Sequence, residues 1–211
     1  VTAIGMVVNR DQATIWADTL VFNDRGPIGH TAKLIVNPTG RLAAAGAGWG
    51  SLLHCADCLA MAATSLDRLI DQLPGLLRRK AAECAERRED PSDFTCNAYA
   101  VAGWSDEYRR IVGFVLAADR YFEPEIASTF AAPEAADLAA IGADTPDDIE
   151  PVAIDQIAEL RRRHRCEITG RVVVATIRPN EVTARTLLTL DAWSAATAGT
   201  GAAVALEGAT A

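Results

Sequence analysis

Three residues in the first 33 positions could perform nucleophilic chemistry together. Thr2 offers a hydroxyl, a weak nucleophile that needs a base within hydrogen-bond reach. The free α-amine of the same residue supplies that base when threonine is the true N-terminus. Such an amine has an ordinary pKa of about 7.7–8.0, so much of it is already neutral near physiological pH. An ammonium nearby, at Lys33, would depress that pKa further and stabilise the alkoxide. A carboxylate between them, at Asp18, would orient the lysine. Lys33 and Lys80 are the only lysines among 20 basic residues; arginine fills the other cationic positions, so Lys33 stands out. Gly46, expected at a sharp strand-to-helix turn, can present its backbone N–H to a developing oxyanion, because glycine permits close approach and unusual dihedrals.

Each of these residues also has a plainer use. Thr2 can be an ordinary strand residue, Asp18 can cap a hairpin end, Lys33 can be an exposed strand lysine, and Gly46, Gly48 and Gly50 can form a simple loop. No lysine follows those glycines in the manner of a nucleotide loop. Val1 bears directly on the chemistry, because if it remains the amine belongs to the wrong residue. Valine in first place is what literal translation of a GTG start codon gives, where the cell installs methionine, and a small second residue permits its removal. The mature protein is therefore expected to begin at Thr2.

Other clusters point less far. His54-Cys55-Ala56-Asp57-Cys58 has metal-type ligands at C-x-x-C spacing, but no second pair at zinc-finger spacing and an apolar helical setting. Arg161-Arg162-Arg163-His164-Arg165 suits a solvated helix end or a subunit contact. His30 and His164 have no evident Ser or Cys partner, so a histidine-based triad is unsupported. No metal or organic cofactor is expected.

The elements that must position these groups follow from the apolar pattern. Residues 2–8 and 13–17 read as a hairpin around Asn9-Arg10-Asp11-Gln12, and residues 33–36 and 42–45 as a second around Asn37-Pro38-Thr39-Gly40. Residues 23–31 read as loop. A first long helix is expected over 52–73, interrupted by Pro74-Gly75, with a second helix from Leu76 to Arg88. Three strands follow at 94–102, 109–117 and 120–130, then a helical segment from Ala131 to Arg165, and two more strands at 171–177 and 182–190. Alternating hairpins and helices argue for an α+β protein of layered antiparallel sheets. One domain over residues 1–191 is expected, followed by an Ala/Gly/Thr-rich tail, 192–211, with little to pack and expected to be disordered.

Composition narrows the class. The 211-residue chain has 20 basic against 28 acidic residues, a formal charge of −8, so its field repels phosphate backbones and disfavours nucleic-acid binding. No apolar run reaches the ~18 residues a bilayer span needs. Five cysteines lack the spacing of a disulfide scaffold and no charged-then-apolar leader precedes the first strand, so reduced thiols and a cytoplasmic location are expected.

Thr2 opening the first strand, Trp16-Ala17-Asp18-Thr19 ending the second, Thr31-Ala32-Lys33-Leu34-Ile35, and Ala45-Gly46-Ala47-Gly48 followed by Cys55-Ala56-Asp57-Cys58 together resemble the proteasome β-subunit family and its bacterial, Anbu-type relatives. The resemblance covers about residues 2–190. It implies a four-layer αββα sandwich of the N-terminal-nucleophile hydrolase type, and Thr2, Asp18, Lys33 and Gly46 in the roles described above. The implied activity is amide hydrolysis on peptides or unfolded polypeptides, and the implied assembly is a homo-oligomeric ring or helical stack, to which the apolar helix would contribute a buried face.

The family's supporting aspartate and serine, before a glycine pair, correspond to Arg165-Cys166-Glu167-Ile168-Thr169-Gly170-Arg171. Thr169 can replace the serine and Gly170 matches, but Cys166 stands for the aspartate and Arg171 for the second glycine. The family's other supporting serine corresponds to Thr129 or to Ala143. These departures are compatible with a slow or differently tuned hydrolase. They are equally compatible with a proteasome-like structural or assembly protein, for instance one carried by a mobile element, that kept the fold and lost activity. A small-molecule amidohydrolase is a third alternative, since the same nucleophile serves other amides.

Overall fold

Strands that are apolar along their whole length need cover on both faces. The first two, Ile4–Val8 (β1) and Ala13–Asp18 (β2), are buried at every position. The computed structural model describes residues 2–23, 26–48, 50–86, 97–132, 149–164 and 170–190, and it shows what covers them. After β2 come a ribbon of Leu20–Asn23 (β3) and Gly26–His30 (β4), then Leu34–Asn37 (β5) and Leu42–Ala47 (β6). Two helices follow, Gly50–Ala62 (α1) and Leu66–Glu86 (α2). Next are Ala98–Ser105 (β7), Arg110–Ala117 (β8), a 3-10 turn at Ala118–Arg120, Glu125–Ile126 (β9) and Thr129–Ala132 (β10). The described residues end with the helix Glu150–His164 (α3) and the hairpin Gly170–Arg178 (β11) and Glu181–Leu190 (β12).

One five-stranded sheet runs β10-β1-β2-β11-β12 and the other β5-β6-β7-β8-β9. Every neighbouring pair is antiparallel. The protein is thus an α+β fold of antiparallel sheets with three α-helices among the described residues.

Side-chain alternation sorts the apolar residues into three clusters. Ile4, Met6, Ile15 and Ile177 of the first sheet face Ala43, Ala45, Ala100 and Ala102 of the second. Large side chains set against these alanines let the two sheets pack closely. On the far side of the first sheet, Val7, Trp16 and Val174 pack against Val152, Ile157 and Leu160 of α3. On the far side of the second, Tyr99, Val101 and Phe114 receive α1 and α2.

The helices divide differently from the sequence expectation. The break falls at residues 63–65 rather than at Pro74-Gly75, and α2 runs through both residues. Asn37 explains where α1 stops. Its Nδ2 donates to the carbonyls of Ala60, Met61 and Ala63 at 2.8, 3.1 and 2.8 Å, while its Oδ1 accepts the Gly40 amide at 2.8 Å. The β5–β6 turn therefore caps the C-terminus of α1, satisfying carbonyls that no intrahelical donor reaches. Ser65 then starts α2, accepting the Arg68 and Leu69 amides through Oγ and its carbonyl. Asn37→Asp replaces the donor with an anion facing three carbonyls at a helix C-terminus. It is expected to destabilise by about 2–3 kcal/mol in urea unfolding, more than Asn37→Ala.

Three other expectations are corrected. Residues 23 and 26–30, within the loop expected over 23–31, belong to the strands β3 and β4, β7 begins at Ala98, and the strand expected over 120–130 is divided between β9 and β10 in different sheets. The tail, 192–211, lies outside the described residues. No helix among the described residues is long and apolar enough to cross a membrane.

Candidate active site

Asp18 ends β2 and is 1% exposed. Its neighbours explain how a carboxylate is held there. Oδ1 accepts the Ala3 amide at 3.1 Å and Oδ2 the Leu20 amide at 3.2 Å, while the Asp18 amide donates to the Ala3 carbonyl at 2.9 Å. This reciprocal pair of bonds fastens the residue following Thr2 against the end of β2. The hairpin-cap use of Asp18 and its use as an orienting carboxylate therefore coexist.

Lys33 lies just before β5 instead of within it, with its side chain 11% exposed. Nζ donates to Asp18 Oδ1 at 2.8 Å, to Thr2 Oγ1 at 3.0 Å and to the carbonyl of Leu20. Three acceptors around one nitrogen match the three hydrogens of an ammonium. Burial pulls the Lys33 pKa below the usual lysine value, opposed by the Asp18 charge. Burial pushes the Asp18 carboxyl above its usual range, opposed by Lys33 and by the Ala3 and Leu20 amides. Each group thus holds the other's charge in a poorly solvated place. Because Thr2 Oγ1 accepts from Lys33, its own hydrogen is left to donate to a base.

The β3–β4 ribbon takes part in this arrangement. An isolated two-stranded ribbon is marginal in water, but Leu20 at its base is buried against the α3 side of the first sheet, and the Thr31 amide donates to the Thr19 carbonyl at 2.8 Å. The ribbon thereby brings the Leu20 carbonyl and the Thr31–Lys33 segment together beside β2.

Thr2, Lys33, Gly46 and Gly48 line one open cleft of about 320 Å³. Gly46 is not at the turn. It sits inside β6 opposite Tyr99, and a Cβ there would meet Leu53 at 2.6 Å. The turn falls at Gly48, whose φ of +127° and close contact with Asn97, 2.1 Å from a built Cβ, both require glycine.

Leu20 points into the core, and Trp49 lies outside the described residues. The first turns of α1 line the cleft through Leu53, His54 and Asp57. His54 was visible in the sequence only as a member of a metal-type run, and Asp57 there and in one of the segments that carry the resemblance. Their i,i+3 spacing on a helix that opens beside the glycines was the available signal. Cys55 and Cys58 are free thiols on the same helix, and among the described residues no three His, Cys, Asp or Glu side chains converge as a metal-binding set.

Thr169, Cys166, Ala143 and Val1 lie outside the described residues. The Arg171 amide donates to Thr19 Oγ1 at 3.0 Å, and Gly170, at φ +104°, leaves room for the His30 ring. His30 has a hydroxyl neighbour after all, its Nδ1 lying 3.4 Å from Thr19 Oγ1. Thr129 pairs with Val7, five residues along the chain from Thr2 and therefore roughly 17 Å away at strand rise. It cannot support the threonine. Lys80 pairs with Glu83 at 2.6 Å on the surface of α2.

No protein-family model matches the chain, and no curated protein matches it.

Proposed function

We propose that the chain is a threonine-dependent amide hydrolase of the N-terminal-nucleophile type, acting on peptides once processing exposes Thr2. The observation that carries this reading is the Lys33 ammonium bonded at once to Thr2 Oγ1 and Asp18 Oδ1. The packing order of helix pair, sheet, sheet and single helix supports reading the fold as a four-layer αββα sandwich. The proteasome-like resemblance belongs to the same proposal, as do a homo-oligomeric assembly and a cytoplasmic location.

In the proposed reaction the Thr2 amine takes the Oγ proton as Oγ attacks the substrate carbonyl. Lys33 stabilises the developing alkoxide, and a backbone N–H of the Gly46–Gly48 segment receives the oxyanion. The amine returns the proton to the leaving nitrogen as the C–N bond breaks, leaving an ester on Oγ. Water, deprotonated by the same amine, adds to the ester, and Oγ recovers its hydrogen as the acid departs. Thr169 would support the nucleophile from outside the described residues.

Intact-mass measurement followed by incubation with a threonine-directed electrophile tests the proposal. A mass beginning at Thr2, with one equivalent of label that Thr2→Ala abolishes, is expected. A chain that keeps residue 1, or an inert Thr2 in a well-formed oligomer, would move the assignment to a structural or assembly role.

A further inference from the structure

Deepening the hydrolase reading on which it rests, we infer that the cleft selects a cationic side chain, with Asp57 as the residue that receives it. The cleft beside Thr2 is bounded by Gly46, Gly48 and Gly50, three positions that contribute no side chain. What they leave is room for a long substrate side chain, and Asp57 lies on the α1 wall of that space.

Asp57 is held in place from below. Tyr99, fully buried on β7, donates its hydroxyl to Asp57 Oδ1 at 2.9 Å. Gly46, opposite Tyr99 in register, leaves the ring its position. Oδ2 has no hydrogen-bond partner among the described residues, so one oxygen of a fixed carboxylate is available to a ligand. The Lys33 charge in the same cleft is matched by the Asp18 carboxylate, 2.8 Å from Nζ, and so does not offset Asp57. Asp57 is therefore the carboxylate of the cleft with an oxygen left to a ligand, and His54, one turn before it on α1, is the other titratable side chain acting on it. A guanidinium or ammonium would satisfy it with a charge-assisted bond, whereas a carboxylate would be repelled. The −8 charge of the whole chain favours the approach of the same ligands.

The test uses the processed protein and peptide electrophiles identical except for arginine, norleucine or glutamate next to the reactive carbonyl. The rate of Thr2 modification is read by intact mass. The arginine probe is expected to react about tenfold faster than the norleucine probe, the worth of one partly buried charge-assisted bond, and the glutamate probe slowest. Asp57→Asn, whose amide keeps an acceptor for the Tyr99 hydroxyl, should bring the arginine-to-norleucine ratio near one, and Asp57→Lys should invert the order of arginine and glutamate. Glu107→Gln, an exposed carboxylate in the β7–β8 turn, should leave the ratio in place. A ratio near one in the unsubstituted protein, or one that survives Asp57→Asn in a protein with unchanged circular dichroism, overturns the inference. If no probe modifies Thr2, the hydrolase reading fails by itself and the cleft is read by calorimetry with acetyl-arginine amide and acetyl-norleucine amide. Preference for the arginine amide, lost in Asp57→Asn, upholds the cation site; equal binding of the two overturns it.

Discussion

Lys33→Arg is expected to slow covalent modification of processed Thr2 by about a thousandfold, while Lys80→Arg leaves it within about twofold. The magnitude is that of removing a positioned proton-transfer or charge-stabilising group. Both substitutions keep a positive charge, so the difference tests geometry and titration instead of net charge. At Lys33 the acceptors come from three separate segments, Thr2 at the start of the chain, Asp18 at the end of β2 and Leu20 at the start of β3, and they converge on one nitrogen. A guanidinium spreads its five hydrogens over a plane and cannot place three on one point. Lys80 pairs with Glu83 on the helix surface, a partner that arginine can also reach.

The pH dependence separates the two parts of the argument. Modification should rise as the Thr2 amine loses its proton, with a midpoint at or below about 7.7–8.0. It should fall again where Lys33 loses its own, below the ordinary lysine value of 10.5, because burial lowers that pKa. Residual activity in Lys33→Arg should keep the rising limb and lose the falling one, since arginine does not titrate there. Stability has the related sign. The unfolded chain binds the Lys33 proton more tightly than the folded chain, so this group's contribution to stability rises with pH between the folded value and 10.5. Asp18, raised by burial, holds its proton more tightly when folded, so its contribution falls as pH rises above 3.8 toward the folded value. A falling limb at or above 10.5 would contradict the assignment of Lys33 as a buried ammonium.

Gly5→Ala is expected to destabilise the fold by about 3 kcal/mol, at the upper end of the usual cost of overpacking a core. For a chain of this size that lowers the melting temperature by roughly 6–12 °C. Gly5 pairs directly with Trp16, and a Cβ at Gly5 would lie 1.9 Å from Trp16 Cζ2 and 2.5 Å from Cη2. The indole is fully buried and is tied by Nε1 to Gln156 Oε1 at 2.7 Å, while Gln156 Nε2 donates to the Ile4 carbonyl at 3.0 Å. Neither ring nor strand can move without breaking that bridge to α3. Trp16→Phe removes the atoms in contact, so Gly5→Ala combined with Trp16→Phe should cost less than the two single changes summed. A loss below about 1 kcal/mol for Gly5→Ala would show that the ring is not held as described. The consequence reaches the site, because Thr2 lies two residues before β1, and a displaced β1 would also draw Thr2 away from Lys33.

The strand pattern was legible because alternation of side chains follows directly from the pleat. The hairpins around Asn9 and around Asn37 and the final pair, β11 and β12, lie close to where the pattern put them. Pro74-Gly75 misled for a definite reason. A proline inside a helix costs about 3 kcal/mol considered locally, but Leu69, Leu73 and Leu77 continue one buried stripe across it. Burying each leucine gains about 1.5–3 kcal/mol, so tertiary packing outweighs the local break. The true helix end depended on Asn37, 23 to 26 residues away, which no local signal at Ala62 reports.

The candidate site divides in the same way. Position and the resemblance singled out Thr2 and Asp18 in the sequence, and rarity added weight only to Lys33, one of two lysines in an arginine-rich chain. What only the tertiary structure decided is that a single nitrogen meets Thr2, Asp18 and the Leu20 carbonyl, that the turn beside them falls at Gly48 and not Gly46, and that Asp57 faces the same cleft. The physical reason is distance along the chain. Periodicity and turn chemistry act over a few residues, whereas the Lys33 contacts span 13, 15 and 31 residues and exist only once two sheets and a ribbon have packed.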